Sequence, residues 1–129
     1  MKIAVVAITR HGIAMAGRVV AALPGVQLFA PEKFRAEAEA ASSTAACYTG
    51  KTGDQIPALF EAFDGIVAIV SLGAVVRLIA PHLKSKEVDP AVVVLDEGGK
   101  FAIPILSGHL GGANALAGHL ATAIGAQAV

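Results

Sequence analysis

The sequence predicts an α/β protein in which a mostly parallel sheet lies between two layers of helices. Three runs, residues 3–8, 65–70 and 91–95, are continuously apolar and rich in β-branched side chains. Such strands are buried on both faces, as in the centre of a parallel sheet. Apolar residues make up 55% of the chain but aromatic residues only 5%, so small aliphatic side chains must form the core. These observations favour a three-layer sandwich of the flavodoxin or Rossmann type.

The first half of the chain alternates predicted strands with predicted helices. Strand 3–8 is followed by a helix over 12–23, whose apolar stripe consists of Ile13, Ala16, Val19, Val20 and Leu23. Further expected elements are a strand at 26–30, a weakly patterned helix at 33–41 and a short edge strand at 46–49. Asp54 is the candidate N-cap of a helix that continues through Phe63, with Pro57 in its first turn.

The second half predicts a hairpin between two helices. The first helix begins around residues 71–73, after strand 65–70, and ends before Pro81. Strands 91–95 and 101–106 are joined by a short turn rich in glycine and acidic residues, which favours antiparallel pairing. Pro104 places the later strand at an edge or a bulge. Residues 110–124 predict a helix with Leu110 on its buried stripe and Gly125 as its C-cap, and residues 126–129 begin another strand.

Length and charge limit the function classes. The 129 residues match one domain, and ten Lys and Arg balance ten Asp and Glu, which disfavours nucleic-acid binding. The longest nearly uncharged apolar stretch, residues 65–76, is shorter than the roughly 20 residues of a membrane span, so no membrane association is expected. The single cysteine, Cys47, cannot form an internal disulfide bond, which is typical of a cytoplasmic protein.

Three strand-to-helix turns, at residues 9–12, 71–73 and 107–112, are short and contain glycine. In an open α/β sheet such turns meet at the carboxyl ends of the strands, where helix N-termini favour anions. We therefore expect one crevice for an anionic ligand; the alternative is that glycine only permits tight turns. Candidate ligand-binding residues at or near these turns are Arg10, Gly73, Arg77, Lys84, Ser107, Gly108, Gly111 and Gly112.

Two residues are candidates for proton transfer. His109, within the glycine-rich turn, has the side chain of a general acid or base, although its ring could equally cap the turn. Asp96 is a second candidate, but a turn rich in Asp, Glu and Gly needs no function to explain it. Ser107 is only weakly supported as a nucleophile, since no G-x-S-x-G motif surrounds it, and its simpler role is that of an N-cap. The four histidines lack the spacing and the acidic or cysteine neighbours of a zinc site, so no protein metal site is expected.

Three ordered segments, residues 75–84, 89–100 and 106–114, resemble the CbiG-type cobalt-precorrin-5A hydrolases of anaerobic cobalamin biosynthesis. The most specific string is Ser107-Gly108-His109-Leu110-Gly111-Gly112-Ala113-Asn114. The resemblance implies a hydrolase that opens a δ-lactone on a cobalt-corrinoid macrocycle and releases acetaldehyde. The cobalt would arrive in the substrate, so no cofactor is implied. Members of this family carry a further C-terminal domain, which implies that residues 1–129 are the N-terminal part of a longer enzyme.

The resemblance implies particular roles for residues already singled out. His109 would be the base and Asp96 a second proton acceptor, while Asn114 joins the candidate substrate-binding residues because it closes the specific string. A rival hypothesis is a non-catalytic module that binds a corrinoid or a pathway partner. A weaker one is an unrelated phosphate or nucleotide binder, although no nucleotide-binding loop motif is present. The sequence leaves open whether the chain forms a homodimer.

Overall fold

The computed structural model describes all residues from Met1 to Val129 and contains one seven-stranded sheet. Its strands are β1 (Ile3–Ala7), β2 (Gln27–Pro31), β3 (Ala46–Tyr48), β4 (Gly65–Ile69), β5 (Ala91–Leu95), β6 (Phe101–Leu106) and β7 (Gln127–Ala128). Its α-helices are α1 (Arg10–Ala22), α2 (Arg35–Ala41), α3 (Ile56–Ala62), α4 (Leu72–Ile79) and α5 (Ala113–Ile124). Short 3-10 helices lie at Glu32–Phe34, Thr52–Gln55 and Ala80–His82. No helix combines the length and the apolar character that crossing a bilayer requires.

The strand order is β3-β2-β1-β4-β5-β6-β7. Strands β1 to β5 pair in parallel, β6 pairs antiparallel with β5, and β7 pairs parallel with β6. The three strands expected to be buried, β1, β4 and β5, are neighbours, and every residue of β4 and β5 is buried. The predictions of a mostly parallel sheet and of an antiparallel hairpin are therefore confirmed.

Helices cover both faces of the sheet. On one face, α1, α2 and α5 pack on side chains such as Val5, Leu28 and Val67. On the other face, α3 and α4 pack on alternate residues of the same strands, such as Val6 and Ile66. Alternation along each strand sends successive side chains into different layers, so both faces need an apolar partner. The predicted three-layer sandwich is confirmed.

Two predicted helix starts are wrong. Helix α5 begins at Ala113 rather than at residue 110, and Leu110 is 70% exposed instead of lying on the buried stripe. The reason is the left-handed backbone of Gly112, with φ of 88°, which caps the helix and interrupts the helical path. Asp54 is not an N-cap, because it lies inside the 3-10 turn that precedes α3, where its amide donates to the Lys51 carbonyl.

Truncating Val67 to Ala should lower the free energy of unfolding by about 1–3 kcal/mol, because it removes two methyl groups from a packed core. Val67 is fully buried, between Val5 of β1 and Val93 of β5 in the sheet register. Denaturant titration measures the change, and Val76→Ala on α4, where Val76 is 50% exposed, is the control. Equal losses for both variants would contradict this description of the core.

Candidate functional site

The glycine-rich turns do not meet at one place. Strands β1 and β4 end at what we call the carboxyl edge of the sheet, and the turns that follow them lie there. Strand β6 runs the opposite way, so residues 107–112 lie at the other, amino edge. A strand of five residues separates the two edges by about 16 Å. The prediction of a single shared crevice is therefore wrong, because it treated β6 as though it were parallel.

Three of the candidate binding residues lie at or near the carboxyl edge. Arg10 at the start of α1 pairs through Nε with Glu37 Oε2 at 2.9 Å, and its guanidinium lies 5.6 Å from the ring centroid of Phe34. Arg77 is exposed on α4 and makes no ion pair. Its side chain extends back toward Gly73, where an added Cβ would lie 3.7 Å from Nη1. Arg77 is thus the free cation of this group.

Asp96 also lies at the carboxyl edge, where its carboxylate organises the turn between β5 and β6. Its two oxygens accept hydrogen bonds from the backbone amides of Gly98 at 3.1 Å, Lys100 at 2.8 Å and Phe101 at 2.6 Å. Three donors from one turn account for the presence of Asp here without any chemistry. The catalytic role of Asp96 stays a prediction that this geometry does not favour.

The remaining candidates, which include Lys84, are gathered at the amino edge around a residue that the sequence analysis missed. Asp89 is buried just before β5, and its carboxylate accepts the backbone amide of Lys84 at 3.1 and 3.0 Å. Its carbonyl accepts the Ser107 hydroxyl at 2.9 Å. Asp89 therefore ties the loop before β5 to the turn after β6. The only sequence signal was an Asp before Pro90 at a strand entry.

The turn at residues 107–112 has an unusual backbone. Ser107 has φ of 54° and is the only non-glycine residue in the chain with positive φ. The prediction that Ser107 caps α5 is wrong, because Gly112 occupies the N-cap position. An added Cβ would lie 2.9 Å from the Asn114 side chain at Gly108 and 2.8 Å from the Ser107 carbonyl at Gly111. Both glycines are required by this close folding, which leaves His109 exposed at the tip.

Part of the expected row of free amides at this turn is occupied. The first two amides of α5, on Ala113 and Asn114, donate to the carbonyls of Ser107 and Gly108 at 3.2 and 3.0 Å. The five amides of residues 108–112 donate to no acceptor in the chain. Hydrogen-bond donors for a ligand are therefore in the turn itself rather than in the first turn of the helix.

A groove of about 590 Å³ lies at the amino edge and shares Asp89 with this turn. Its walls combine apolar side chains with titratable ones of both signs: Phe60, Glu61, His82, Leu83, Lys84, Val88, Asp89 and Pro90. The rings of Phe60 and His82 are 6.4 Å apart in an edge-on arrangement. Because His109 is two residues beyond Ser107, it is within about 7 Å of the point where turn and groove meet. Lys84 is the one Lys or Arg among the lining residues, and Glu61 and Asp89 are acidic, so the groove offers an apolar ligand a single contact for a negatively charged group.

A second depression, of about 610 Å³, lies at the carboxyl edge beyond β2 and β3. Lys33 and Lys51 line it together with Tyr48, whose hydroxyl is 2.7 Å from Thr52 Oγ1. Burial raises the pKa of the Tyr48 phenol, and the hydrogen bond with Thr52 opposes that effect only in part. Because the neutral phenol is favoured in the folded chain, the associated stability is lost as pH rises from the ordinary pKa through the folded pKa.

Tyr48 should titrate above its ordinary pKa of 10.0 in the folded chain and at that value after denaturation. The chain contains one tyrosine and no tryptophan, so phenolate absorbance near 295 nm reports this residue alone. Tyr48→Phe provides the baseline. Coincident titration curves for folded and denatured chains would show that the phenol is not buried as described.

Comparison with known proteins places the chain in a family. The sequence model described as "Cobalamin synthesis G N-terminal" matches residues 54–129. Two cobalt-precorrin-5A hydrolases are similar over 98% of this chain, at 42% identity for Priestia megaterium and 39% for Salmonella typhimurium. The chain spans about a third of the length of these curated relatives, 33% and 34%.

A solved structure has the same fold. It is a cobalamin biosynthesis protein G homolog from Sulfolobus solfataricus, with a TM-score of 0.68 and 24% identity. The similarity covers 99% of this chain and 36% of that one. The fold, the match to the family's sequence model and the two relatives agree, and the chain belongs to the cobalamin synthesis G N-terminal family.

Proposed function

We propose that this chain is the N-terminal domain of a cobalt-precorrin-5A hydrolase of cobalamin biosynthesis and contacts the corrinoid at its amino edge. The names of the two relatives support a hydrolase that acts on cobalt-precorrin-5A. The reaction that the sequence resemblance implies is hydrolytic opening of a δ-lactone with release of acetaldehyde. The rest of the polypeptide would complete the enzyme, since the chain spans only about a third of those relatives. The cobalt belongs to the substrate in this proposal, and the chain supplies no cofactor.

The observation that carries the choice of edge is the strained turn at residues 107–112. A backbone φ of 54° is strained for a serine, and residues strained in this way cluster at functional sites. Here the strained backbone holds an exposed imidazole and five unused amides together. A simple connection between β6 and α5 would require neither.

The chemistry of the amino edge suits a corrinoid. The macrocycle is a large apolar ring with carboxylate side chains, so it needs apolar walls and a few cations. Phe60, Val88 and Pro90 provide apolar surface in the groove, and Lys84 on its rim provides a cation. The net charge of the chain is zero, and Glu61 and Asp89 offset Lys84 in the groove, so we expect a direct contact between Lys84 and one carboxylate of the substrate rather than long-range attraction.

In the proposed reaction, His109 accepts a proton from a water molecule as that water attacks the lactone carbonyl. Amides from among residues 108–112 donate to the resulting oxyanion. The lactone ring then opens to a carboxylate and a hydroxyethyl group, whose oxygen takes up a proton. Acetaldehyde then leaves when the hydroxyl loses its proton and the carbon–carbon bond breaks, with the electron pair staying on the macrocycle. Asp96 lies at the opposite edge, so His109 serves in both proton transfers.

Replacing His109 with Ala in a full-length enzyme that contains this chain should lower turnover by about 10²–10⁴, as expected for a lost general base. Acetaldehyde release from cobalt-precorrin-5A measures the rate. His119→Ala is the matched control, because His119 is also exposed but lies on α5, outside the turn. Full activity of the His109→Ala variant would refute the catalytic role and favour a module that only binds the corrinoid.

Lys84→Ala should weaken corrinoid binding, and the loss should shrink at high salt because exposed charges are screened. Arg77→Ala should leave the affinity unchanged, since Arg77 is also an exposed cation but its side chain extends toward the carboxyl edge, away from the groove. Spectroscopic titration of the corrinoid compares the two variants. The reverse pattern, with Arg77 required and Lys84 dispensable, would move the substrate to the carboxyl edge.

A further inference from the structure

Although helices pack on both faces of the sheet, the part of one face over β6, beside α4, has an apolar surface that no helix covers. It is formed by α4 and β6 and consists of Leu72, Val76, Phe101, Ile103 and Ile105; we call it the β6 face. Val76 is 50% exposed and Phe101 45% exposed, and the two isoleucines are only partly buried. Leu72 and Ile103 line one depression between α4 and β6, and exposed apolar side chains grouped in this way on a small domain mark a contact surface.

The two layers of helices cover β6 unequally. On one face, α5 packs over the end of the sheet and buries Ala102 completely. On the other face, α3 and α4 lie over β1, β4 and β5, whose buried residues include Val6, Ala68 and Val94. Ile103 and Ile105 lie at the rim of that cluster with solvent beside them. This uncovered part of β6 is a gap in the α3 and α4 layer, where one more element could pack on the sheet.

Pairing by another strand is a poor way to cover this gap. Strand β7 pairs only with Phe101 and Ala102, so the outer edge of β6 beyond them is open. Pro104 lies in that open stretch and has no amide hydrogen, which makes the edge a weak template for an added strand. A partner must therefore pack on the face of β6 through side chains.

We propose that the β6 face is the docking surface for the rest of the full-length polypeptide. The two hydrolases that are similar to this chain extend to about three times its length, so two thirds of each is available to cover it. The contacting surface would be apolar, since Leu72, Val76 and Phe101 offer it no charge. This inference rests on the part of the proposed function that places the chain in a longer polypeptide, and not on the proposed reaction, and the amino edge stays open to substrate.

Thiol accessibility tests the proposal. Cys47→Ser removes the natural thiol, and Val76→Cys and Phe101→Cys each place one thiol on the β6 face. Ala14→Cys is the control, at an exposed position of α1 in the opposite layer. Labelling by a maleimide is timed in this chain alone and in a chimera, in which the chain replaces the matching third of the Priestia megaterium hydrolase. Circular dichroism checks that each variant folds.

We expect both thiols on the β6 face to react at least about tenfold more slowly in the chimera, while Ala14→Cys reacts at the same rate in both contexts. Equal rates in the two contexts would overturn the proposal, and so would equal slowing of all three thiols. Slow labelling of the β6 face in the chain alone, with the mass of a dimer by light scattering, would assign the surface to a second copy instead. None of these results depends on catalytic activity.

Discussion

The reversal of the chain at residues 96–100 determines how the other parts of the molecule are arranged. The Asp96 carboxylate accepts three backbone amides of its own turn, and Gly99 adopts the left-handed backbone there, with φ of 67°. The turn makes β6 antiparallel to its neighbour. As a consequence, the chain leaves β6 at the amino edge, and the glycine-rich turn forms far from those that follow β1 and β4.

At the amino edge, a single buried acidic residue joins segments that are distant in sequence. Asp89 bonds to the Lys84 amide through its side chain and to the Ser107 hydroxyl through its carbonyl. The groove and the strained turn therefore share one support. This arrangement relates the stability of the fold to the proposed site, because a displaced Asp89 would move the wall of the groove and the base of the His109 turn together.

Sequence patterns predicted the sheet well because its central strands are buried on both faces and contain no polar residue. They failed where backbone conformation decides the structure: the left-handed backbone of Gly112 leaves no trace in hydrophobic periodicity, so the predicted start of α5 is three residues too early. Asp89 was missed because its partners lie 5 and 18 residues away. The prediction of one shared crevice conflicted with the predicted hairpin itself, since an antiparallel strand must end at the edge where its neighbour begins.

The most direct test of the account is to locate the substrate on the chain by NMR. Backbone amide shifts of the labelled chain are compared with and without cobalt-precorrin-5A. The account predicts that the perturbed amides belong to residues 82–90 and 107–114, at the amino edge. Perturbations concentrated at residues 9–12, 71–73 and 96–98 would place the substrate at the carboxyl edge and contradict the account. A spectrum in which neither edge is perturbed would contradict it too.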